Sequence, residues 1–356
     1  MSPVPADAPA RERILTDLDT TLFVEAGAGS GKTTSLVGRF VSLVLAGVDV
    51  AGIAAITFTE AAAAELRARI REALEDVVAG RPLRGIDVGP DGVDRARAGL
   101  EHLDRATVAT LHAFAQRLLL SAPIEAGLPP RVEVNDEVAS ALRAEERWGR
   151  FVTQLLDDDD LEVALLAGLA LDISIDKLEA VAATFDQNWD LLEGLDRSAE
   201  RERVVDEKAI SVSLDPLFAA AEAITELAGT CTDDTDKLLC WIRDEMHAAL
   251  APLRAAAHDP YTLLQAAAKL PKIRKVGQAP NWPDGGKVAV LGHWQDAVDQ
   301  IGAELAAVTD LVLRRLSVEV VDHTLAEARA RRREGRLEFH DLLVLARQVL
   351  RDDVHV

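Results

Sequence analysis

The sequence predicts an α/β fold: a mainly parallel sheet with crossover helices, interrupted by a large α-helical insertion. Three observations carry this. Apolar runs of strand length alternate with helical patterns over residues 21–121, the order that builds parallel strands joined by helices. A glycine-rich turn follows the first of those runs. From Asp136 to about Arg333 the periodicity becomes helical almost throughout, with Ala, Leu and Val returning on one face.

In chain order, Thr21-Leu22-Phe23-Val24-Glu25-Ala26 reads as a buried strand that runs into the turn, and Lys32 to Leu45 as a helix. Ile53 to Phe58 is a second buried strand, and Glu60 to Val78 is a long helix rich in Ala, the best helix former. Residues 80–98 are punctuated by Gly, Pro and Asp and read as loop. Ala106 to Ala109 is a third short strand, followed by a helix from about Leu111 to Ser121. After Gly127-Leu128-Pro129-Pro130 the helical region begins, with Asn135 or Asp136 as the N-cap of its first helix. Within it, Pro, Gly and Trp mark 271–293 as loop, with a candidate short strand at Lys287 to Leu291.

At 356 residues the chain is about two domains' worth. Its net charge of -21, taken alone, argues against a nucleic-acid partner, because such proteins usually carry a basic domain or stripe. The charge is unevenly placed. Residues 156–259 hold 25 acidic against 8 basic residues, a net of -17, opened by Asp157-Asp158-Asp159-Asp160. Residues 1–155 hold 22 against 17 and residues 260–356 hold 13 against 14. One nearly neutral body interrupted by a separate acidic module is the architecture this suggests.

Several classes are excluded. No apolar run approaches the roughly 18 residues of a membrane span, and Met1 to Arg13 has no apolar core, so it does not read as a secretory signal. Cys231 and Cys240 lie nine apart, with no second thiol or His at metal spacing. They read as reduced thiols, which sets the expectation of a cytoplasmic protein with no membrane partner.

Residues 26–33 read Ala-Gly-Ala-Gly-Ser-Gly-Lys-Thr, the GxxxxGK[ST] phosphate loop with Ala26 in the first glycine's place. Gly27, Gly29 and Gly31 let the backbone curl so that successive N–H groups face an anion. The following helix turns its positive end to the same anion. Lys32 supplies a point charge to the β and γ phosphates and the Thr33 hydroxyl a ligand to Mg²⁺. The candidate nucleotide site is therefore Ala26, Gly27, Ala28, Gly29, Ser30, Gly31, Lys32, Thr33 and Thr34, with Thr33 as the metal ligand.

Two further segments specify more. Residues 56–70 read ITFTEAAAAELRARI and residues 107–119 read TVATLHAFAQRLL. With FVEAGAGSGKTTSLVGR at 23–39, they resemble the first motifs of the UvrD/Rep-type superfamily 1 DNA helicases, and TFTEAA is closer to the RecB/AddA branch. Arg336-Leu337-Glu338-Phe339-His340-Asp341-Leu342-Leu343 resembles that branch's F-x-DLL segment, where the chain re-enters the motor domain. The resemblance implies a P-loop NTPase (RecA-like) motor lobe from 1–135 plus 334–356, incomplete, and a mainly α-helical insertion at 136–333. It implies an ATP-dependent 3′→5′ DNA helicase of repair or recombination, using ATP and Mg²⁺ on single-stranded DNA. The candidate protein partner is a helicase/nuclease subunit. Carried over residue by residue, Phe58 stacks on a base, Thr59 meets a phosphate, and Thr110 and His112 belong to the T-x-H strand contact. Stacking suits a sequence-blind translocase, since every base has a π face.

Other basic groups are less telling. Arg67, Arg69 and Arg71 splay around their helix. Lys269, Lys272, Arg274 and Lys275 lie beside Trp282 and could touch DNA, and Arg329, Arg331, Arg332, Arg333 and Arg336 form a second cluster.

Three departures from the family stand out. The upstream glutamine that reads adenine is absent: the first Gln is Gln116, and Ala10-Arg11-Glu12-Arg13-Ile14 occupies its place. No apolar strand ends in Asp-Glu; Val204-Val205-Asp206-Glu207 has only two apolar residues behind Arg203. The second motor domain, with its arginine finger, is also absent. The expectation is the N-terminal piece of a longer helicase. Its alternative is a catalytically incomplete fragment that binds nucleotide and DNA without turnover.

Overall fold

The computed structural model describes residues 7–27, 29–135, 137–256 and 258–352. Ala28 and Asp136 lie outside them. In chain order the elements begin with α1 (Ala8–Thr16), α2 (Lys32–Leu45), β1 (Ala54–Thr57), α3 (Glu60–Val78), α4 (Gly92–Glu101), β2 (Thr107–Thr110), α5 (Leu111–Ser121) and β3 (Glu133–Val134). Next come α6 (Glu137–Leu156), α7 (Glu162–Ala170), α8 (Ile175–Asp186), α9 (Trp189–Leu192), α10 (Ser198–Arg201), α11 (Asp215–Ala228) and α12 (Lys237–Trp241). A single π turn (Ile242–Met246) leads into α13 (His247–Ala255), then α14 (Pro260–Ala267) and α15 (Gly286–Glu334). Then follow β4 (Arg336–Leu337) and α16 (Phe339–Asp352). The fold is α/β and helix-rich, with two small parallel sheets.

The chain divides into two compact units, Met1–Val134 with Arg333–Val356, and Asn135–Arg332. In the first, β1 and β2 pair in parallel, Ala54 opposite Thr107 and Thr57 opposite Thr110. They pair only with each other among the described residues, so each keeps an open outer edge. Helix α3 buries Leu66, Ile70, Leu74 and Val77 at three- and four-residue spacing, one stripe of a helix. These side chains join Phe40, Val41 and Val44 of α2 and Ala55 and Val108 of the strands in one core. A second core forms where Ala115 and Leu119 of α5 meet Leu342, Leu345 and Val349 of α16. Pairing of β3 with β4, Glu133 opposite Arg336, delivers the chain into α16.

Three sequence expectations fail, each for a physical reason. Thr21 to Ala26 is not a strand. It forms no ladder, and Phe23 is 95% exposed. Apolar composition does not suffice for a strand, which exists only through a paired neighbour. Here the segment is tethered by side chains instead: Lys32 Nζ donates to Ala26 O at 2.9 Å, and Arg39 Nη1 holds the carbonyls of Ile14 and Asp17 just upstream. Residues 80–98 are not all loop, because α4 begins at Gly92. Its glycines reflect close approach: a Cβ on Gly99 would stand 2.7 Å from Val44 Cγ1. Lys287 to Leu291 is helical, the start of α15. Val290, Trp294, Ala297 and Ile301 form one buried row there, and that packing overrides the β-branched run.

The second unit is built on one large core running from Trp148 and Phe151 through Leu217, Leu238 and Met246 to Trp294 and Val312. Trp282 is in that core at 3% exposure, so it offers no face to a nucleic acid, whereas Lys269, Lys272, Arg274 and Lys275 of the basic cluster beside it are exposed. Arg331, a member of the other basic cluster, is likewise buried and paired with Asp186 at 2.8 Å. Asn135 is buried and accepts from Arg143. Cys231 and Cys240 are unbridged.

Candidate nucleotide and nucleic-acid site

The glycine-rich turn folds as its composition requires. Gly29 (φ 74°) and Gly31 (φ 85°) adopt left-handed backbone, open to glycine without penalty. Ser30 Oγ donates to Gly27 O at 2.7 Å, closing the turn on itself. Gly31 is the N-cap of α2 and has no side chain to cap it, so no side-chain acceptor occupies the helix's first N–H groups. An uncapped helix N-terminus is what an anion requires. Lys32, Thr33 and Thr34 form the exposed first turn of α2. Ala28 is the one candidate loop residue outside the described set.

Arg11 of α1 reaches this turn. Its Nη2 donates to Ser30 O at 2.7 Å, and its guanidinium pairs with Asp7 at 2.6 Å. Sequence reasoning assigns Arg11 no role beyond standing where the glutamine is missing; its contact crosses 19 residues, and no local spacing signals it. Beside the turn opens a cavity of about 710 Å³ lined by Arg11, Glu12 and Leu15 of α1, Thr34, Ser35 and Val37 of α2, and the segment Leu83–Ile86.

The strand-end groups lie at the carboxyl ends of β1 and β2. Phe58, the residue after β1, is 95% exposed with its ring in solvent. Thr59 is the N-cap of α3, its Oγ1 accepting from Ala62 N at 3.2 Å. Thr110 caps α5 in the same way, accepting from Ala113 N at 3.2 Å. Because Thr57 and Thr110 are in register, the two capped turns stand side by side. Thr110 is buried, and its hydroxyl also donates to Glu60 Oε1 at 3.0 Å. Both capacities of that hydroxyl are therefore in use. His112 is half-buried in the first turn of α5, its ring edge-on to Phe339 of α16 at 5.2 Å and 83°. Arg67 is exposed, yet its Nη2 donates to Val108 O at 2.6 Å and ties α3 to β2. Arg69 pairs with Glu65 at 2.5 Å.

Known proteins share this arrangement of segments. A family model for the UvrD/REP helicase N-terminal domain matches residues 8–356. An ATP-dependent helicase/nuclease subunit from Heliobacterium modesticaldum is 38% identical over 128 residues, 36% of this chain and 8% of that protein. The same-named proteins of Desulforudis audaxviator and Desulforamulus reducens are 35% and 36% identical over 151 and 152 residues, covering 40% and 42% of this chain and 12% of each relative. The match thus spans 8–12% of the length of these curated relatives. The family match runs through the turn at α2, both strand ends and α16, and the chain belongs to the UvrD/REP helicase N-terminal domain family.

Proposed function

We propose that the chain carries the nucleotide-binding site and part of the single-stranded DNA path of an ATP-dependent 3′→5′ DNA helicase of repair or recombination. The observation that carries this is the uncapped first turn of α2 behind left-handed Gly29 and Gly31, with Lys32 and Thr33 on it. In this reading residues 1–135 plus 334–356 are a RecA-like motor lobe and 136–333 a helical insertion. The protein works in the cytoplasm, with a helicase/nuclease partner.

The residues present fit Mg-ATP. Backbone N–H groups, a lysine and a hydroxyl are the donor set a polyphosphate and a hard cation require. Ala26 to Thr34 would hold the phosphates and Thr33 the Mg²⁺, and the cavity beside Thr34 and Ser35 is in the size range of ligand pockets. Bound Mg-ATP supplies the free energy of phosphoryl transfer to water. Lys32, whose Nζ donates to Ala26 O, would supply its charge to the phosphates. Phe58 offers a free ring for stacking, Thr59 retains its hydroxyl proton for a phosphate, and His112 is held by Phe339 against the same path. Thr110 acts by position, since its hydroxyl is committed.

Neither β1 nor β2 ends in an acidic pair, which favours the second reading, binding without turnover. ATP hydrolysis and Mg-ATP binding, each measured with and without oligo(dT), separate them. DNA-stimulated hydrolysis that Lys32→Ala abolishes supports the helicase reading. Binding that Lys32→Ala weakens at least tenfold, with no hydrolysis, supports the second. A chain that binds no nucleotide overturns both.

A further inference from the structure

Glu60 is the unexplained group at the strand ends. A carboxylate two residues from Phe58 stands on a surface proposed to track a polyanion, where negative charge opposes binding. The helix-dipole preference for an acid in the first turn is worth about 0.3–1 kcal/mol and does not require this reach across to another element. The geometry gives a reason for it. Glu60 is the first residue of α3, and its Oε1 accepts from Thr110 Oγ1 at 3.0 Å across 50 residues of sequence. The same Thr110 oxygen accepts from Ala113 N of α5. One carboxylate thereby joins the turn bearing Phe58 and Thr59 to the turn bearing Thr110 and His112. A second tie, Arg67 to Val108 O, fixes α3 to the neighbouring strand and leaves Glu60 to set the end of it. From His112 the line continues to Phe339 of α16.

We propose that Glu60 is a positioning residue that couples the two strand-end turns, so that Phe58 and His112 grip single-stranded DNA as one unit. This rests on the DNA-path reading above. Glu60 itself touches no DNA; it acts through Thr110.

Two conservative variants separate reach from charge. Glu60→Gln keeps the length and an acceptor oxygen and removes the charge. Glu60→Asp keeps the charge in the first helical turn, and with it the stabilisation of α3, but is one methylene too short to meet Thr110. Affinity for fluorescein-labelled oligo(dT) is measured for the 356-residue chain, Phe58→Ala, His112→Ala and the double variant, in each of the three Glu60 backgrounds. In the unaltered chain and with Glu60→Gln, the two losses should be non-additive by about fivefold. With Glu60→Asp they should multiply independently. Glu60→Gln should also tighten binding overall, as a like charge leaves the path. Coupling that survives Glu60→Asp, or is lost in Glu60→Gln, overturns the positioning role while leaving the DNA path intact. If Phe58→Ala and His112→Ala each leave affinity unchanged, the DNA path itself falls, and this role with it. Melting temperatures within a few degrees for all variants exclude a general loss of folding as the cause.

Discussion

Thr33, Thr59 and Thr110 show how one residue type serves three ends. Thr59 and Thr110 spend their oxygen on capping N–H groups, whereas Thr33 lies exposed in a first turn whose cap is a glycine. Thr33→Ala should weaken nucleotide affinity about tenfold with Mg²⁺ present, the loss of one charge-assisted ligand. Without Mg²⁺ it should change affinity less than about twofold. Titrating a fluorescent ADP analogue in Mg²⁺ and in EDTA checks this; equal losses in both would contradict a metal-ligand role. The motif resemblance groups Thr110 with His112 as strand contacts. Burial separates them, because only the fold shows that Thr110 sits under the Glu60 side chain. The apolar pattern puts Phe58 inside a buried strand and only the motif resemblance singles it out; its exposure follows from standing one residue past the end of β1.

At the scale of elements, strands and helices are legible wherever local pattern and packing agree. Glu60 to Val78 is a helix in both, and β1 and β2 fall within a residue or two of the expected runs. The failures share a cause: each depends on a partner that local sequence does not name. Thr21 to Ala26 needs a neighbouring strand, α4 needs α2 to explain Gly99, and Lys287 to Leu291 needs the core that receives Val290 and Trp294. The stretch 271–285 is irregular, as its Pro and Gly content implies, and its order comes from Asp236. That buried carboxylate accepts from Leu238 N at 2.9 Å, Gln278 N at 2.8 Å and Asn281 Nδ2 at 3.0 Å. Burial opposes its charge, but these N–H donors outweigh burial and bring its pKa down to about 2. Gly277 has φ 81°, and a Cβ there would lie 2.6 Å from Asp236 Oδ1. Gly277→Ala should therefore cost about 2–4 kcal/mol, from a left-handed alanine and a displaced hydrogen-bond acceptor. Urea unfolding followed by tryptophan fluorescence measures it; a midpoint unchanged from the parent chain would remove Asp236 as the organiser of this stretch.

At the scale of the molecule, charge and titration divide between the units. All five tryptophans, Trp148, Trp189, Trp241, Trp282 and Trp294, are in the second unit, so intrinsic fluorescence reports on that unit alone. The same unit carries His323, stacked on Phe151 at 4.3 Å and edge-on to Trp148. Burial first, and then Arg147, lower its pKa from 6.5 to about 4, with Asp186 opposing and Arg150 adding to the effect. The unfolded imidazole takes up a proton near pH 6.5 and the folded one only near 4. Between those values the unfolded state binds more protons, so stability falls as pH drops from 6.5 to 4 and is unaffected by this group above that window. The lowered carboxylates, including Asp236, begin to lose their contribution only below about pH 5, so the part of the decline between pH 6.5 and 5 is free of them. The fluorescence-detected melting temperature should decline from pH 6.5 to 4, and His323→Leu should flatten that decline; an equal slope in both proteins would assign it elsewhere.

The sheet edges left open among the described residues and the bare ring of Phe23 also bear on how copies of the chain meet one another. Unpaired edges are templates for intermolecular strand pairing. Mutual repulsion from the net charge of -21, most of it held in the acidic module, opposes that pairing. That repulsion reaches about 10 Å at 0.1 M salt and about 3 Å at 1 M. Concentrated salt thus removes this chain's colloidal protection, and turbidity should rise as salt is raised to that range.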